Sequence, residues 1–567
     1  MTAMKWWGWG REDVAFDHAD KPAFKPFVQR ILGVDVDAPG QAPPSFAQLD
    51  VPEPRVEDAF LEVLRDAVGD AFVSTGAEDR VVHARGKSLA DIIAQRDGRF
   101  ERLPDVVVRP GDEDACAAVL AAALEADAVV IPFGGGSTIA GSLECSVEEE
   151  RTIVSVDLAR LDRVLEVDPT SRLARIQAGA FGPSIEEQLQ AQGFTLGHYP
   201  DSFTHSTLGG WVATRSSGMQ SDKFGDVADL TRGLRVVTPS GTLVVRPVPS
   251  TSTGPSVREM VLGSEGRLGI ITEVTVQVHR LAAERRILGY LFPSWDAGLA
   301  CMRDIAASEA DPSVTRVSDA TETAFSFATK KGGGLADKLQ SLALKTFLRR
   351  VKGFPDLEAM CLSFIGFEGS ERHVKRNKRL VGKIVAAHGG VGVGAGPGEL
   401  YDQKKFDTPY IRDYMLDRGV LADVSETAAP WSVLPGLYRH AAGEVHRAID
   451  GLGVPGILMC HLSHSYHGGA CLYFTFAIRT STTAGAPTAL EQYRVVKSAV
   501  QQAFVDAGGT LSHHHAVGTE HAEWLEQDIS APGVAMVRAL LDGTDPGHNL
   551  NPGKILTDSD TPASLLR

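Results

Sequence analysis

The sequence predicts an α+β protein with two lobes and a closing tail. Strand-like apolar runs alternate with helical stretches over residues 106–177 and again over residues 234–279. A second block of apolar runs follows at residues 287–292, 362–367 and 471–478, with helical stretches between them. Because 567 residues are too many for one hydrophobic core, the two blocks are expected to form separate lobes.

The chain is expected to divide into four regions. Residues 1–100 form an N-terminal arm and helical region, and residues 101–280 form the first lobe. Residues 281–505 form a cap domain that binds substrate, with an antiparallel sheet and flanking helices. Residues 506–567 contain turns rich in histidine, asparagine and proline, so we expect them to close the active site and return to the first lobe.

The composition argues against several classes of function. The chain has 56 basic and 72 acidic residues, and its net charge of −16 disfavours binding along nucleic acid. No apolar stretch approaches the ~20 residues of a membrane-spanning helix and no leader peptide is visible, so we expect a cytoplasmic protein. The 6 cysteines lack Cys-x-x-Cys spacing, which argues against disulfides or a zinc site. The scarcity of asparagine suggests a GC-rich bacterial gene.

Three glycine-rich loops carry the main functional signal. The first reads PFGGGST (residues 132–138) and follows an apolar strand. Glycines allow a sharp turn in which successive N–H groups converge on a diphosphate, although an isolated triplet is also typical of an ordinary tight turn. The dinucleotide motif GxGxxG is excluded because Ile139 occupies a glycine position, and the P-loop is excluded because Ser142 and Leu143 replace Lys and Ser/Thr.

The second and third loops complete the pattern. Residues 198–218 are dense in hydroxyl groups and glycines and contain Arg215, and residues 263–272 read GSEGRLGIIT. In this order and spacing the three loops resemble the FAD-binding domain of the vanillyl-alcohol oxidase superfamily. The resemblance covers residues 103–280 and implies that residues 101–280 form a PCMH-type FAD-binding domain.

The resemblance implies that the first two loops wrap the FAD pyrophosphate and ribityl chain, and that the third lies near the adenine and the isoalloxazine. The first loop contains no histidine to tether FAD covalently, and Cys145 lies beyond the turn, so we expect non-covalent FAD. The candidate FAD-binding residues are Pro132, Gly134, Gly135, Gly136, Ser137, Thr138, Pro200, Asp201, Ser202, Thr207, Gly209, Gly210, Thr214, Arg215, Ser217, Gly218, Glu265, Gly266, Gly269, Ile270 and Ile271.

Later motifs resemble one branch of this superfamily, the alkyl-dihydroxyacetonephosphate synthases. They are KWWGWG at residues 5–10, YIRD at 410–413, SETAAPW at 425–431, GACLYFTF at 469–476 and SHHHAVG at 512–518. The resemblance implies that the acyl chain of acyl-dihydroxyacetonephosphate is exchanged for a long-chain alcohol, with release of a fatty acid and no net redox change. It further implies that a base removes a C1 proton and that flavin N5 holds that carbon transiently.

The candidate catalytic residues are Arg412, Tyr473, His513, His514 and His515. The resemblance implies that Arg412 binds an anionic group, although a lone arginine also often forms a structural ion pair. A phenol with an ordinary pKa of about 10 is a poor base, so Tyr473 needs cationic or hydrogen-bonding neighbours, which we expect the histidines to supply. On an extended segment His513 and His515 would share a face that His514 opposes.

Two other functions remain open. The first is an FAD-dependent oxidase or dehydrogenase of a hydroxy acid or alcohol, since related folds oxidise such substrates. The basic residues that the family carries after Gly518 are replaced by TEHA, which argues against a phosphorylated substrate if those residues hold the phosphate. In such an oxidase or dehydrogenase His461, His464 and His467 would face one metal on a helix but alternate faces on a strand, and we expect no metal. The second is a flavin-binding or membrane-docking protein without catalysis.

Residues 335–352 form a basic segment in an acidic chain. They contain 5 basic residues and 1 acidic residue, and their leucines recur at helical spacing. The segment is expected either to make peripheral contact with an anionic membrane or to pack between the lobes. A lipid-like small-molecule substrate and a homodimer are also expected, and no nucleic-acid partner.

Overall fold

The computed structural model describes residues 4–332, 346–350, 352–398, 406 and 409–557. In chain order the strands are β1 (Val73–Ser74), β2 (Val106–Val108), β3 (Val129–Phe133), β4 (Ile153–Asp157), β5 (Val164–Asp168), β6 (Leu173–Gln177), β7 (Phe194–Thr195), β8 (Thr231–Thr238), β9 (Gly241–Val245), β10 (Ile270–Gln277), β11 (His279–Arg280), β12 (Glu284–Phe292), β13 (Val314–Ser318), β14 (Cys361–Gly369), β15 (Val391–Gly394), β16 (Val420–Pro430), β17 (Gly456–Ser465) and β18 (Gly469–Arg479). The α-helices are Phe24–Leu32, Asp58–Val68, Ala77–Val82, Leu89–Arg96, Glu113–Glu125, Gly182–Gln190, Leu208–Thr214, Ser221–Phe224, Val227–Leu230, Val257–Val261, Trp295–Ala306, Ala320–Ala328, Glu371–Ala387, Tyr410–Leu416, Leu434–Leu452, Ala489–Asp506 and Leu525–Thr544.

The first lobe contains two larger sheets and a two-stranded sheet formed by β7 and β11. A four-stranded sheet has the order β1-β2-β4-β3, with β2, β4 and β3 parallel. Its strands read as continuous apolar runs because both faces are covered. A five-stranded sheet follows in the order β5-β6-β10-β8-β9, and every neighbouring pair in it is antiparallel. Strand β1 and the helix Asp58–Val68 pack into the first sheet, so this lobe begins before residue 101.

The cap is built on a seven-stranded sheet with the order β15-β12-β14-β13-β17-β18-β16. Successive side chains of β18 point alternately to the two faces of the sheet. Phe474 and Phe476 are fully buried in the cluster formed by the helices on one side, and each contributes roughly 1.5–3 kcal/mol through burial. Tyr473 and Thr475, one position out of phase, line the cavity on the other side.

The tail returns to the first lobe. Leu550 forms a parallel bridge with Val130 of β3, and Asn549 Nδ2 donates to the Ala128 carbonyl at 3.0 Å. The helix Leu525–Thr544 is interrupted at Ser530, whose φ is 69°. This arrangement brings the histidine-rich turn near residue 514 and the asparagine-rich turn near residue 551 to the same cavity.

Most of the predicted basic segment, residues 335–352, lies outside the described residues. Residues 346–350 are helical, with Leu348 buried and Arg349 and Arg350 exposed. Among the described helices, none combines the length and apolar character needed to cross a membrane.

Candidate functional site

A cavity of about 1280 Å³ lies between the first lobe and the cap. The three glycine-rich loops form one wall, and the outer face of the cap sheet forms the opposite wall. The helix Phe24–Leu32 lines a third side with Phe24, Phe27, Val28 and Ile31. The cavity therefore joins a polar, glycine-rich region to an apolar one.

The first two loops pack so closely that only glycine fits between them. A Cβ at Gly134 would lie 2.3 Å from Thr207 Oγ1, and a Cβ at Gly135 would lie 1.9 Å from the His205 carbonyl oxygen. Gly136 has a φ of 66°, which glycine adopts without strain. These glycines are needed for close approach of two backbones, and both loops line the cavity.

Glu265 ties the third loop to the rest of the site. It adopts a left-handed backbone with a φ of 48°. Its carboxylate accepts hydrogen bonds from Ser142 Oγ at 2.6 Å and from the N–H groups of Val517 and Gly518 at 2.9 and 3.0 Å. Burial raises the pKa of this carboxyl above its usual value, and the hydrogen bonds oppose that shift.

Most of the candidate FAD-binding residues line this cavity. Three do not. Arg215 points outward, where its guanidinium pairs with Glu259 at 3.1 Å and is partly exposed. Ile270 is fully buried in the core of the first lobe. Gly218 lines a small adjoining pocket, and its carbonyl contacts His464. The lining residues are Pro132, Gly134, Gly135, Gly136, Ser137, Thr138, Pro200, Asp201, Ser202, Thr207, Gly209, Gly210, Thr214, Ser217, Glu265, Gly266, Gly269 and Ile271.

Asn551 is a lining residue that the sequence analysis missed. It is buried, with a φ of 39°, and its Nδ2 donates to the carbonyls of Ser142 at 3.0 Å and Glu265 at 2.7 Å. Its Oδ1 is buried without a hydrogen-bond partner among the described residues. The sequence could have identified this residue, because Asn551 is one of only 3 asparagines in the chain and lies in the turn-rich tail.

This arrangement fits FAD. The glycine loops leave a space that side chains would fill, and Asn551, which lines the same space, has an acceptor without a hydrogen-bond partner among the described residues. A buried acceptor without a donor is costly, so a bound group with N–H or O–H donors would satisfy it. The dinucleotide would be held by the first two loops, with Asn551 and the third loop beside it.

Tyr473 is surrounded by imidazoles. Its ring stacks on His461 with centroids 4.9 Å apart and lies 5.5 Å from His515 and 6.1 Å from His514. Burial, followed by the negative charge of Asp201, raises its pKa well above the ordinary value. Tyr473 is therefore a phenol at neutral pH and can donate a hydrogen bond, but it is an even poorer base than a free tyrosine.

The histidine triplet wraps around one buried carboxylate. Glu426 accepts hydrogen bonds from Ser512 Oγ and from the backbone N–H groups of His513, His514 and His515, all between 2.8 and 3.0 Å. Because three successive N–H groups converge on one carboxylate, the segment bends instead of extending.

This bend corrects the predicted geometry of the triplet. His514 and His515 both line the cavity, whereas His513 does not line it and contacts Tyr466 with its Nε2. The expectation that His513 and His515 share a face opposed by His514 is therefore wrong.

The triplet cannot provide cationic support for Tyr473. Burial lowers the pKa of His513 to about 4 and that of His514 to about 3, and it lowers the pKa of His515 well below its usual value. All three rings are neutral at pH 7. Each neutral ring can accept a hydrogen bond at one nitrogen and donate from the other, whereas the Tyr473 phenol can donate.

Arg412 lines the cavity and has two donors without a hydrogen-bond partner among the described residues. Its Nη1 donates to the Lys87 carbonyl at 2.7 Å, which holds the side chain in place. Its Nε and Nη2 are buried and form no hydrogen bond with any described residue. The structural ion pair considered from the sequence is not formed within the described part of the chain, and a planar pair of free N–H groups suits an anion.

A second polar group in the cavity was missed. Glu322 accepts from Arg316 Nη2 at 2.7 Å and contacts His461 Nδ1 at 2.9 Å, and all three side chains line the cavity. Burial opposes ionisation of Glu322, but His461 and Arg316 outweigh it and hold the pKa of Glu322 at about 2. These residues come from different elements, so no local motif marks them.

The three histidines at three-residue spacing do not converge. His461 faces Glu322, His464 contacts the Gly218 carbonyl at 3.0 Å, and His467 is exposed in the turn after β17. His464 approaches Cys471, His513 and His514 with possible ligand atoms within 4.8 Å of one another. Tetrahedral zinc needs ligand atoms about 3.4 Å apart, so this cluster is loose, and the expected absence of a metal stays a prediction.

The segment after Gly518 supplies no cation to the site. Glu520 is buried and accepts from Tyr493 Oη at 2.9 Å, and burial raises its pKa to about 7. The cations that do line the cavity, among the described residues, are Arg316, Lys330 and Arg412.

Comparison with known proteins identifies the family. The FAD binding domain model matches residues 104–245, and the model "FAD linked oxidases, C-terminal domain" matches residues 281–555. An alkyldihydroxyacetonephosphate synthase of Dictyostelium discoideum is 37% identical over 547 residues, covering 96% of this chain and 85% of that protein. This chain belongs to the alkyldihydroxyacetonephosphate synthase family.

Other comparisons agree with this family. A Caenorhabditis elegans synthase is 32% identical over 96% of this chain and 94% of its own length. A solved synthase structure superposes with a TM-score of 0.83 at 33% identity and covers 97% of this chain and 98% of that one. The predicted α+β fold with a PCMH-type FAD-binding domain is confirmed. The bacterial source suggested by composition finds no support in these relatives, which are eukaryotic.

The oxidase alternative is less well supported than the synthase family. A glycolate oxidase subunit GlcD of Bacillus subtilis is only 23% identical. A structure of p-cresol methylhydroxylase superposes with a TM-score of 0.65 at 15% identity, which shows a shared fold alone.

The fit of the cavity to FAD predicts that Gly135→Ala lowers the FAD content of the purified protein, because a Cβ at this position would push the second loop away. We expect the ratio of flavin to protein absorbance to fall severalfold. Gly443→Ala is the matched control, since a Cβ there meets nothing within 4 Å on a cap helix. Equal flavin content in the two variants would contradict the assigned loop.

We also predict that FAD is released intact when the protein is denatured by acid or heat, because the first loop lacks a tethering histidine. The measurement is the visible absorbance of the supernatant after precipitation and filtration. Colour that stays with the precipitated protein would show a covalent bond.

Proposed function

We propose that this protein exchanges the acyl chain of acyl-dihydroxyacetonephosphate for a long-chain alcohol, forming alkyl-dihydroxyacetonephosphate and a fatty acid with FAD as cofactor. The observation that carries the proposal is the joining, in one cavity, of the FAD loops with Tyr473, the histidine triplet and Arg412. Membership of the synthase family supports it further. The FAD-dependent oxidase or dehydrogenase remains the alternative that the experiment below must exclude.

The apolar end of the cavity suits the aliphatic chains. It is lined by the helix Phe24–Leu32 and by residues of the cap sheet such as Ile457, Met459 and Ala477. Burying an aliphatic chain there releases about 0.8 kcal/mol for each CH₂ group. This supports a lipid-like substrate whose polar end reaches the centre of the cavity.

Arg412 is assigned to the anionic group of the substrate. Its Nε and Nη2 can bind two oxygens of a phosphate or carboxylate without breaking any contact within the described structure. Arg412 thus offers an anion site independent of the segment after Gly518, which supports a phosphorylated substrate despite the change of sequence there.

Acid and base roles follow from the environment. A neutral imidazole of the triplet accepts the C1 proton, and the Tyr473 phenol donates a hydrogen bond to an oxygen of the substrate. FAD, when bound, would supply an electron-accepting isoalloxazine ring to the exchange of the C–O bond. The C1–O bond to the acyl group breaks, the C1–O bond to the alcohol forms, and no electrons are transferred overall.

The direct test is an anaerobic incubation of the FAD-loaded protein with acyl-dihydroxyacetonephosphate and a labelled long-chain alcohol. We expect label in an ether product that resists alkaline hydrolysis, together with an equal amount of fatty acid. An oxidase would instead reduce its flavin with a hydroxy acid and form no labelled ether. Absence of ether product would reject the proposal.

Within this assay we predict that Arg412→Lys lowers kcat/KM by about 10- to 100-fold, as expected from roughly 1.5–3 kcal/mol for charge-assisted hydrogen bonds. Flavin content should stay unchanged. Arg418→Lys is the control, because its guanidinium bonds to the Val36 carbonyl and stacks on Tyr414 outside the cavity. If both variants lose activity alike, Arg412 is only structural.

Peripheral contact with anionic membranes is also proposed, through residues 335–352. Arg349 and Arg350 are exposed and follow Leu348, which lines the cavity, and Lys330 lines the cavity as well. Each cation near an anionic surface contributes about 1 kcal/mol. A location in the cytoplasm, peripheral to a membrane, and a homodimer are proposed with it; light scattering of the purified protein tests the dimer.

We predict that the protein sediments with anionic vesicles but not with neutral ones, and less so as salt rises. The double substitution Arg349→Glu, Arg350→Glu should abolish the difference. The control is Lys378→Glu, Arg379→Glu, which makes the same charge change at exposed positions of the helix Glu371–Ala387. Equal recovery with both kinds of vesicle would show that lipid reaches the cavity by another route.

A further inference from the structure

Tyr466 lies between a carboxylate and an imidazole. Its Oη is 2.8 Å from Asp226 Oδ2 and 2.6 Å from His513 Nε2. Burial acts to raise the pKa of Asp226, but the neighbouring imidazoles of His513 and His464 and the hydrogen bond from Tyr466 outweigh it and hold that pKa at about 2. Asp226 is therefore ionised and can only accept.

The position of each proton follows from this. Tyr466 has one hydroxyl proton and must donate it to Asp226, so the hydrogen between Tyr466 and His513 belongs to His513 Nε2. His513 is neutral at pH 7, which leaves its Nδ1 without a proton. His513 Nδ1 is 2.8 Å from His514 Nδ1, so His514 supplies the hydrogen of that bond.

His514 is thereby left with a lone pair on Nε2. The ring is neutral, and its single proton is on Nδ1. His514 lines the cavity and stacks beside Tyr473. None of the described residues forms a hydrogen bond with His514 Nε2, which leaves this nitrogen available to a substrate proton.

We infer that His514 is the base of the alkyl transfer and that Asp226, Tyr466 and His513 form a relay that fixes its tautomer and stabilises the proton it accepts. The inference rests on the proposed function. Asp226, Tyr466 and His513 act through His514, so they are positioning residues.

The proton transfer is balanced as follows. The C1 proton of the substrate moves to His514 Nε2, and the electron pair of the C–H bond stays with the carbon. The acyl group leaves as a carboxylate with the electron pair of its C–O bond. The proton on His514 exchanges with water; after the alcohol oxygen has bonded to C1, His514 delivers a proton to that carbon and the hydroxyl proton of the alcohol passes to solvent.

The relay compensates for the burial of His514. An isolated imidazole with so low a pKa would accept a proton poorly. Asp226 acts to raise the pKa of both His513 and His514, because its negative charge favours their protonated forms. The relay works in the same sense as the aspartate of a Ser-His-Asp triad, which orients an imidazole and stabilises its cation.

Other titratable groups surround the relay and remain unchanged by substitutions within it. They are Glu426 on β16, His461 and His464 on β17, Cys471 and Tyr473 on β18, His198 on the second loop and His515 beside His514.

The test compares Tyr466→Phe, Asp226→Asn and Asp226→Glu with the wild type. Two rates are measured: kcat for ether formation, and loss of deuterium to water from acyl-dihydroxyacetonephosphate deuterated at C1. We expect Tyr466→Phe and Asp226→Asn to lower both rates by about 10- to 100-fold, within the range of general acid–base effects. KM and flavin content should be unchanged, and Asp226→Glu should recover part of the loss.

Asp226→Asn should be at least as damaging as Tyr466→Phe. An asparagine amide can donate to Tyr466 Oη, which frees the phenol to donate to His513 Nε2. That change reverses the tautomers of both histidines and places the proton of His514 on Nε2, where it blocks the base.

The matched control is Tyr438→Phe. Tyr438 Oη also donates to a carboxylate, Asp319 Oδ2 at 3.1 Å, but this pair has no contact with the triplet. The control loses one tyrosine–carboxylate hydrogen bond and should keep the wild-type kcat and exchange rate.

The relay is overturned if Tyr466→Phe and Asp226→Asn keep both wild-type rates, or if kcat falls while deuterium exchange does not. It is equally overturned if Tyr438→Phe shows the same losses, since these would then reflect general destabilisation. If the wild-type protein itself forms no ether, the result rejects the proposed function and, with it, the relay that depends on it.

Discussion

Two buried carboxylates hold residues 512–518 between the lobes. Glu426 of the cap accepts the N–H groups of residues 513–515, and Glu265 of the first lobe accepts those of residues 517 and 518. A buried carboxylate without such donors would be costly, so the segment must present its backbone to both. This constraint bends the histidine triplet and fixes which of its rings reach the cavity.

The same burial decides the chemistry of the site. It removes water from the imidazoles and keeps them neutral, and it keeps Tyr473 protonated. In water a histidine with a pKa near 6.5 and a tyrosine with a pKa near 10 would differ less sharply in role. Here the neighbouring carboxylates of Asp201 and Glu426 widen the difference, so the protein separates a proton acceptor from a hydrogen-bond donor within one cavity.

Local sequence was enough to predict the FAD loops and most of the strands. Gly134 and Gly135 are recognisable because close contact of two backbones requires glycine, and apolar runs such as residues 129–133 mark strands buried on both faces. The resemblance to the synthases identified Arg412 and Tyr473, both of which line the cavity. Asn551 could have been predicted from the rarity of asparagine and its place in the turn-rich tail, but no local motif marks Glu322 or Arg316.

The sequence by itself determined the α+β class, the glycine loops, the acidic character of the chain and the presence of a histidine triplet, because propensity, periodicity and composition are local properties. Only the tertiary structure decided which histidines face the cavity, that Arg215 points outward, and that Asp226 and Tyr466 contact His513. These outcomes depend on hydrogen-bond donors and acceptors that lie between 44 and 240 residues apart. Their pairing is set by the cost of leaving buried polar groups unsatisfied, a cost that exists only once the lobes have packed together.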